Sequence, residues 1–422
     1  MKTIRVGLAG FGMSGQIFQA PFIEADERFE LCKVYERSSE KSKSEYPNVS
    51  VVHTFEELLT DDIDLVIIST PNATHVPFAK SAIKACKNVV IEKPIAATSA
   101  EVRELMELAD KNNVIVTAYQ NRRFDGDYMT IKRLYEEGRF GDIVEYEAHY
   151  DRFVTGCSSK KWKAEGGVGV NILYDLGVHM IDQAYDLFGM PLEVYADMSH
   201  QRPESAGIDE FEVIMYYADK RVIASAGELV AMPGPRFMIN GRKATYIKYG
   251  EDVQADAISS GARPVIATDG KVYVDAGRRG ISDVENVAGI GSTGVMTETT
   301  GSVVDKVARV QVMTDGGAAD RVIDACNASG RNVQESGIPS VAALWGAEPE
   351  TSYGTLYSAT GDHVEAEVIP TECGFYGMFY DRLYASIVDG EPLLVELQDS
   401  LNVLRIIEAA LESNEKKCRV QM

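Results

Sequence analysis

Along the first third of this chain, short apolar runs alternate with longer stretches patterned for helices. The runs are Ile4 to Leu8 (broken only by Arg5 and Gly7), Phe29 to Tyr35, Asp64 to Ser69, Asn88 to Ile91 and Val114 to Tyr119, with a helical segment at Ala100 to Asn112. Strands alternating with helices predict a parallel, doubly wound sheet over residues 1–122. From about Arg123 the pattern changes. Helices are expected at Asp127 to Glu137 and Leu173 to Phe188, with a half-exposed strand at Asp142 to Phe153. Five short alternating segments follow: Leu192 to Met198, Asp209 to Tyr217, Val222 to Val230, Arg236 to Ile239 and Ala244 to Tyr249. Their turns carry Gly, Asn, Pro and Asp, which marks an antiparallel sheet. Strands at Tyr353 to Tyr357 and His363 to Ile369, then helices at about 375–388 and 395–413, close a second domain over 123–422.

The segment from about Val265 to Ser340 departs from this style. It is rich in Gly, Ala, Val and Thr, with strands expected at Lys271 to Val274 and Val307 to Met313 and a helix at Ala318 to Ser329. It is expected to be an inserted structured element of the second domain.

The first strand runs directly into Gly10-Phe11-Gly12-Met13-Ser14-Gly15. A strand, a Gly-x-Gly-x-x-Gly turn and a helix start form a device for holding a pyrophosphate on backbone N–H groups. Glu36 stands at the end of the second strand, about 20 residues on, where a carboxylate can hold ribose hydroxyls. Arg37 follows, and a guanidinium there can instead grip a 2′-phosphate or cover the adenine face. The cofactor is therefore NAD or NADP, with the balance tipped to NAD. Later strand ends carry Thr70-Pro71-Asn72 with His75 just beyond, Glu92-Lys93-Pro94, and Asn121-Arg122-Arg123. Ligands of doubly wound sheets sit beyond these carboxyl ends, so Thr70, Pro71, Asn72, His75, Glu92, Lys93 and Asn121 join the expected cofactor site.

Composition narrows the class. The chain has 422 residues, 45% apolar and 25% charged, long enough for two or three domains. A net charge of −22 argues against nucleic acid and anionic membranes as partners. No apolar run reaches membrane-span length and no signal-peptide pattern opens the chain, so a cytoplasmic protein is expected. The six cysteines (Cys32, Cys86, Cys157, Cys326, Cys373, Cys418) are scattered without a CxxC pair, so neither a disulfide frame nor a zinc site is expected.

A second motif carries chemistry: Tyr174-Asp175-Leu176-Gly177-Val178-His179. Asp175 and His179 are four apart and share one face of a helix. A carboxylate beside an imidazole orients the ring and favours its protonated form, which suits a general base near neutral pH. Lys93 lies at the strand end where a nicotinamide is expected, and an ammonium there stabilises alkoxide character. Oxidation of a secondary alcohol needs a hydride acceptor, a base and local positive charge. Arg123, Tyr150, Arg152 and Trp162 flank the expected cleft and are candidate contacts for substrate hydroxyls and a sugar ring's C–H face.

Together with Tyr246-Ile247-Lys248-Tyr249-Gly250, Tyr353-Gly354-Thr355-Leu356 and the closing helix around Asn402 to Ala410, these motifs make the chain resemble the glucose–fructose oxidoreductase/inositol dehydrogenase/rhizopine-catabolism (Gfo/Idh/MocA) family. Within it the chain is similar to NADP-dependent scyllo-inositol dehydrogenases. The resemblance spans nearly everything except the Val265 to Ser340 segment. It implies an α/β plus α+β fold, with a Rossmann domain and an open, mostly antiparallel sheet domain whose face often mediates assembly into a dimer or tetramer. It also implies catalytic roles for Lys93, Asp175 and His179, and NAD(P)-dependent oxidation of a polyol, inositol or sugar. Some family members are glycosidases that recycle NAD, and others sense rather than catalyse; the intact Lys93, Asp175 and His179 argue against sensing alone. Two departures stand out. Scyllo-inositol enzymes of the NADP type favour small hydroxyl residues and arginine after strand two, where this chain has Glu36-Arg37-Ser38. About 75 residues between Pro264 and Trp345 stand where relatives have a short loop.

Overall fold

The computed structural model describes residues 2–156, 169–203, 207–267, 271–275, 344–361 and 363–422. The expected elements at Val307 to Met313 and Ala318 to Ser329, and the candidate Trp162, lie outside the described residues.

Six strands form the N-terminal sheet: β1 (Ile4–Ala9), β2 (Phe29–Tyr35), β3 (Ser50–Val52), β4 (Leu65–Ile68), β5 (Asn88–Glu92) and β6 (Val116–Tyr119). All pairs are parallel, in the order β3-β2-β1-β4-β5-β6. Every residue of β4 is buried, as are Val89, Val90 and Ile91. Helices cover both faces of such a sheet, so its strands read as unbroken apolar runs rather than alternating ones. The order reverses between β1 and β4, and the glycine turn follows β1 at that point.

The second sheet has nine strands: β7 (Ile143–His149), β8 (Glu193–Ser199), β9 (Glu210–Tyr216), β10 (Arg221–Gly227), β11 (Phe237–Gly241), β12 (Ala244–Lys248), β15 (Gly354–Thr360), β16 (His363–Ile369) and β17 (Val420–Gln421). Their order is β16-β15-β12-β11-β7-β10-β9-β8-β17, antiparallel throughout except for the parallel pair β7 and β10. A separate hairpin, β13 (Arg263–Ile266) with β14 (Val272–Asp275), occupies the start of the departing segment.

The C-terminal helices return to the first sheet. Tyr380 and Tyr384 of helix Gly377–Asp389 pack on Phe29, and Tyr376 packs on Phe22. In helix Leu397–Lys416, Glu408 accepts from the backbone N–H and the hydroxyl of Ser99, both at 2.7 Å, at the start of helix Ser99–Asn112. Ser413 of the same helix accepts from Ala196 N in β8 at 3.0 Å. One element thus bonds to both halves of the molecule.

Candidate active site

The glycine turn has the shape a pyrophosphate requires. A Cβ on Gly15 would lie 2.3 Å from Gly10 O, so helix and strand meet too closely for any side chain. Gly10 has φ +95, a backbone state that favours glycine. A Cβ on Gly12 would meet nothing within 4 Å, so the mouth of the turn is open. Phe11 is buried edge-on to Tyr46, and Met13 is half-buried. The following turn, Gly15–Gln19, is a π-helix rather than the expected α start, and Pro21 lies at the head of helix Ala20–Glu24. Such single π-turns are concentrated at functional sites.

Glu92 at the end of β5 ties this turn to the catalytic strand end. Its carboxylate accepts from Ser14 Oγ and from Gln19 Nε2 at 2.6 Å, and from Lys93 N at 3.1 Å. Ser14 and Glu92 are therefore joined to each other. Thr70 Oγ1 meets Thr74 Oγ1 at 2.6 Å, Pro71 leads the short turn Asn72–Thr74, and Asn72 Nδ2 donates to Gly169 O at 2.7 Å. Asn121 is buried at the start of the 3₁₀ turn after β6. His75 was expected to face the cofactor. Instead its two ring nitrogens lie 2.8 Å from Pro94 O and 2.8 Å from Thr70 O, bracing the two loops against each other.

Glu36 also has another task than the expected one. Oε1 accepts from Ser42 N (2.8 Å) and Ser42 Oγ (2.6 Å), and Oε2 from Ser39 Oγ (2.6 Å) and Lys41 N (3.0 Å). Burial pushes its carboxyl pKa up, but these bonds outweigh burial and hold it below the usual range. The carboxylate is thus engaged by the turn that leads into helix Lys41–Glu45. Arg37 and Ser38, beside it, are exposed.

Lys93 reaches across to the second motif. Its ammonium donates to Asp175 O at 2.7 Å and to Asp175 Oδ1 at 2.9 Å. Leu173–Gly177 is a second π-turn, and the α-helix proper is Val178–Phe188, which carries His179. His179 is 5% exposed, and its Nδ1 has no hydrogen-bond partner among the described residues. Asp175 was expected to favour a protonated ring. The net effect is the reverse: burial first, then Lys93 and Arg122, push the imidazole pKa well below its ordinary value, with Asp175 only partly opposing. A neutral imidazole is the form that accepts a proton.

The substrate expectations divide. Tyr150 is buried beside the site, its ring between two guanidinium groups: Arg236 at 3.7 Å and Arg122 at 5.7 Å from the centroid. Arg152 is buried on the stretch that continues β7, its N–H donating to Gly227 O at 2.8 Å. Arg123, expected to meet the substrate, is held by carboxylates. Its Nε and Nη2 donate to both oxygens of Asp182 at 2.8 Å each, and Nη1 faces Asp186 at 3.3 Å and Asp399 at 3.5 Å. It clamps helix Val178–Phe188 to the C-terminal helix. Arg122, its neighbour, is the one that acts on the His179 ring and pairs with Asp125 at 3.2 Å. Successive residues of a 3₁₀ turn point about 120° apart, so two adjacent arginines serve different places. Nothing in the sequence singled out Arg236, which precedes β11 in a Pro-Gly-Pro-Arg run.

An open glycine turn at the sheet's reversal point, beside an ammonium and a neutral imidazole, defines a dinucleotide-dependent dehydrogenase site, and the residues present fit a nicotinamide dinucleotide. Residues 4–120 match the oxidoreductase family with an NAD-binding Rossmann fold, and residues 128–247 match the GFO/IDH/MocA C-terminal domain. The chain belongs to the Gfo/Idh/MocA family of NAD(P)-dependent oxidoreductases. It is 31% identical to the scyllo-inositol 2-dehydrogenase (NADP(+)) IolW of Bacillus subtilis, over 100% of this chain and 97% of that protein. It is 38% identical to the uncharacterized oxidoreductase YdgJ of Escherichia coli, over 62% of this chain and 75% of that protein. Among solved structures, the oxidoreductase yvaA of Bacillus subtilis superposes with a TM-score of 0.79 at 30% identity, over 100% of this chain and 99% of that one. No helix among the described residues is long and apolar enough to cross a membrane.

Proposed function

We propose that this enzyme interconverts a secondary alcohol and a ketone on a polyhydroxylated small molecule, with NADP(H) as its dinucleotide. The observation that carries the reading is the Lys93 ammonium, held 2.9 Å from Asp175 beside a buried imidazole whose pKa is pushed down. A bound nicotinamide supplies the hydride acceptor or donor. His179 takes the hydroxyl proton, its ring being unprotonated and its Nδ1 without a hydrogen-bond partner among the described residues. Lys93 places positive charge where the oxygen gains negative character, and Asp175 aims that ammonium. A polyol or sugar substrate is supported by the resemblance to IolW and by the polar groups around Tyr150.

The choice of NADP over NAD rests on Glu36. With all its hydrogen-bonding capacity used inside its own loop, it neither holds a 2′-hydroxyl nor needs to be displaced by a 2′-phosphate, and the exposed Arg37 is left to meet that phosphate. Fluorescence titration with NADPH and NADH, followed by turnover assays with inositols and sugars, tests the proposal. Tighter NADPH binding and reduction of NADP by a polyol are expected. Failure of both dinucleotides to bind overturns it.

A further inference from the structure

Several buried or half-buried cations have carboxylate partners. Lys93 has Asp175 at 2.9 Å, Arg122 has Asp125 at 3.2 Å, Arg123 has Asp182 at 2.8 Å and Arg202 has Asp209 at 3.1 Å. Arg236 departs from this pattern. It is 4% exposed, and no carboxylate lies within 4.0 Å of it among the described residues. Its Nη1 donates to His149 O at 3.1 Å, while Nε and Nη2 have no hydrogen-bond partner among the described residues. A buried guanidinium edge left without an acceptor is costly.

The free edge has a definite shape. Nε–H and one Nη2–H lie side by side and point the same way, which is the arrangement that grips a carboxylate through two parallel hydrogen bonds. The guanidinium carbon lies 3.7 Å from the Tyr150 ring centroid and 4.1 Å from the Phe237 ring centroid, so two aromatic rings hold the group in place. The Tyr150 hydroxyl is also buried without a hydrogen-bond partner among the described residues. Arg236 and Arg122 lie against the same ring, 3.7 and 5.7 Å from the Tyr150 centroid, which puts the free edge in the cluster of cations that act on His179. The acidic groups that face it are Asp127 and Glu251, both beyond ion-pair distance.

We propose that the alcohol oxidised here also carries a carboxylate, as in a polyhydroxy acid or uronic acid, and that Arg236 binds it through its Nε–Nη2 edge with the Tyr150 hydroxyl as a further donor. This deepens the dehydrogenase reading and rests on it. A single negative charge fits better than a phosphate dianion, because Glu251 and Asp127 face the same guanidinium.

Paired probes test it on the enzyme saturated with reduced dinucleotide, where oxidation cannot proceed: D-gluconate against D-glucitol, and D-glucuronate against D-glucose, by calorimetry. The acids are expected to bind at least about 10-fold tighter than their neutral partners, as for a hydrogen bond to a charged group. Arg236→Gln should erase that advantage, bringing each acid to about the affinity of its neutral partner. Arg236→Lys should keep part of it, since an ammonium is a point charge without the parallel edge; it also serves if the glutamine variant fails to fold. Equal affinity for acid and neutral member, or an acid advantage untouched in Arg236→Gln, overturns the inference. So does preferential binding of glucose 6-phosphate. Oxidation of neutral polyols without any acid advantage would leave the dehydrogenase reading standing, whereas absence of turnover with every polyol and acid, with dinucleotide bound, would overturn that reading instead.

Discussion

Lys93 Nζ donates to both the carbonyl oxygen and the carboxylate of Asp175, at 2.7 and 2.9 Å, across 82 positions of sequence. The bond joins the end of β5 to the π-turn ahead of His179, so the ammonium and the imidazole are positioned as one unit. Removing either end should therefore impair the same step. Lys93→Ala should cut kcat by roughly 100-fold or more through loss of charge stabilisation. Asp175→Asn should lower kcat less, because the carbonyl contact persists. A steady-state comparison of both variants checks this; wild-type turnover in Lys93→Ala would refute the assignment.

His179→Ala should reduce turnover by roughly 100-fold or more, the usual contribution of a positioned base. Dinucleotide affinity, read by fluorescence titration, should stay nearly unchanged, since the glycine turn does not depend on the ring.

The depressed pKa of His179 has a stability consequence. Its folded value lies below the unfolded value of about 6.5, so below that pH the unfolded chain binds the extra proton. Stability should be intact above pH 7 and fall as the pH drops from about 6.5 toward the folded value. Burial lowers the pKa of His75 in the same direction, opposed by its two carbonyl partners. Melting temperature between pH 8 and pH 5 should decline more steeply for the wild type than for His179→Gln. Parallel curves would show that the ring does not titrate on unfolding in this window.

The loop after β2 separates two effects. Arg37→Ala should raise the Kd for NADPH by about 10-fold and leave NADH nearly unchanged, as loss of one charge-assisted contact implies. Glu36→Gln should lower thermal stability, because a charged acceptor of four hydrogen bonds becomes neutral, without inverting the dinucleotide preference. A switch of preference to NADPH only on removing Glu36 would place that carboxylate at the ribose after all.

Arg123→Ala leaves Asp182 buried without its cation. A loss of about 3–5 kcal/mol is expected, the range for breaking a buried ion pair. Urea denaturation measures it. A raised KM at unchanged stability would instead put Arg123 in the substrate cleft.

Most elements were legible from local pattern. The strand Phe29–Tyr35 and the strand His363–Ile369 have the expected bounds, and both sheets have the expected character. Apolar period and turn residues are short-range properties, so they survive without tertiary information. The glycine turn could be read because its residue types stand at fixed offsets from a strand end, and the structure brings Lys93 from a strand end to Asp175, which the sequence had paired with His179 by helix spacing alone. What each polar group does was decided only by its distant neighbours. Arg122 and Arg123 are adjacent and alike in sequence, yet one faces the site and the other meets Asp182, Asp186 and Asp399. Glu36 was expected at a ribose and caps its own loop. Asp175 was expected to charge His179, and Lys93 claims it instead. Arg236 carries no signal in its own segment; its burial, its stacking on Tyr150 and its missing carboxylate exist only once β7 and β11 are paired. Sequence determined which groups this chain has to spend, and tertiary packing decided which were consumed by the fold and which were left for a ligand, because a side chain's charge is satisfied by whatever lies within a few ångströms and not by what lies next to it in the chain.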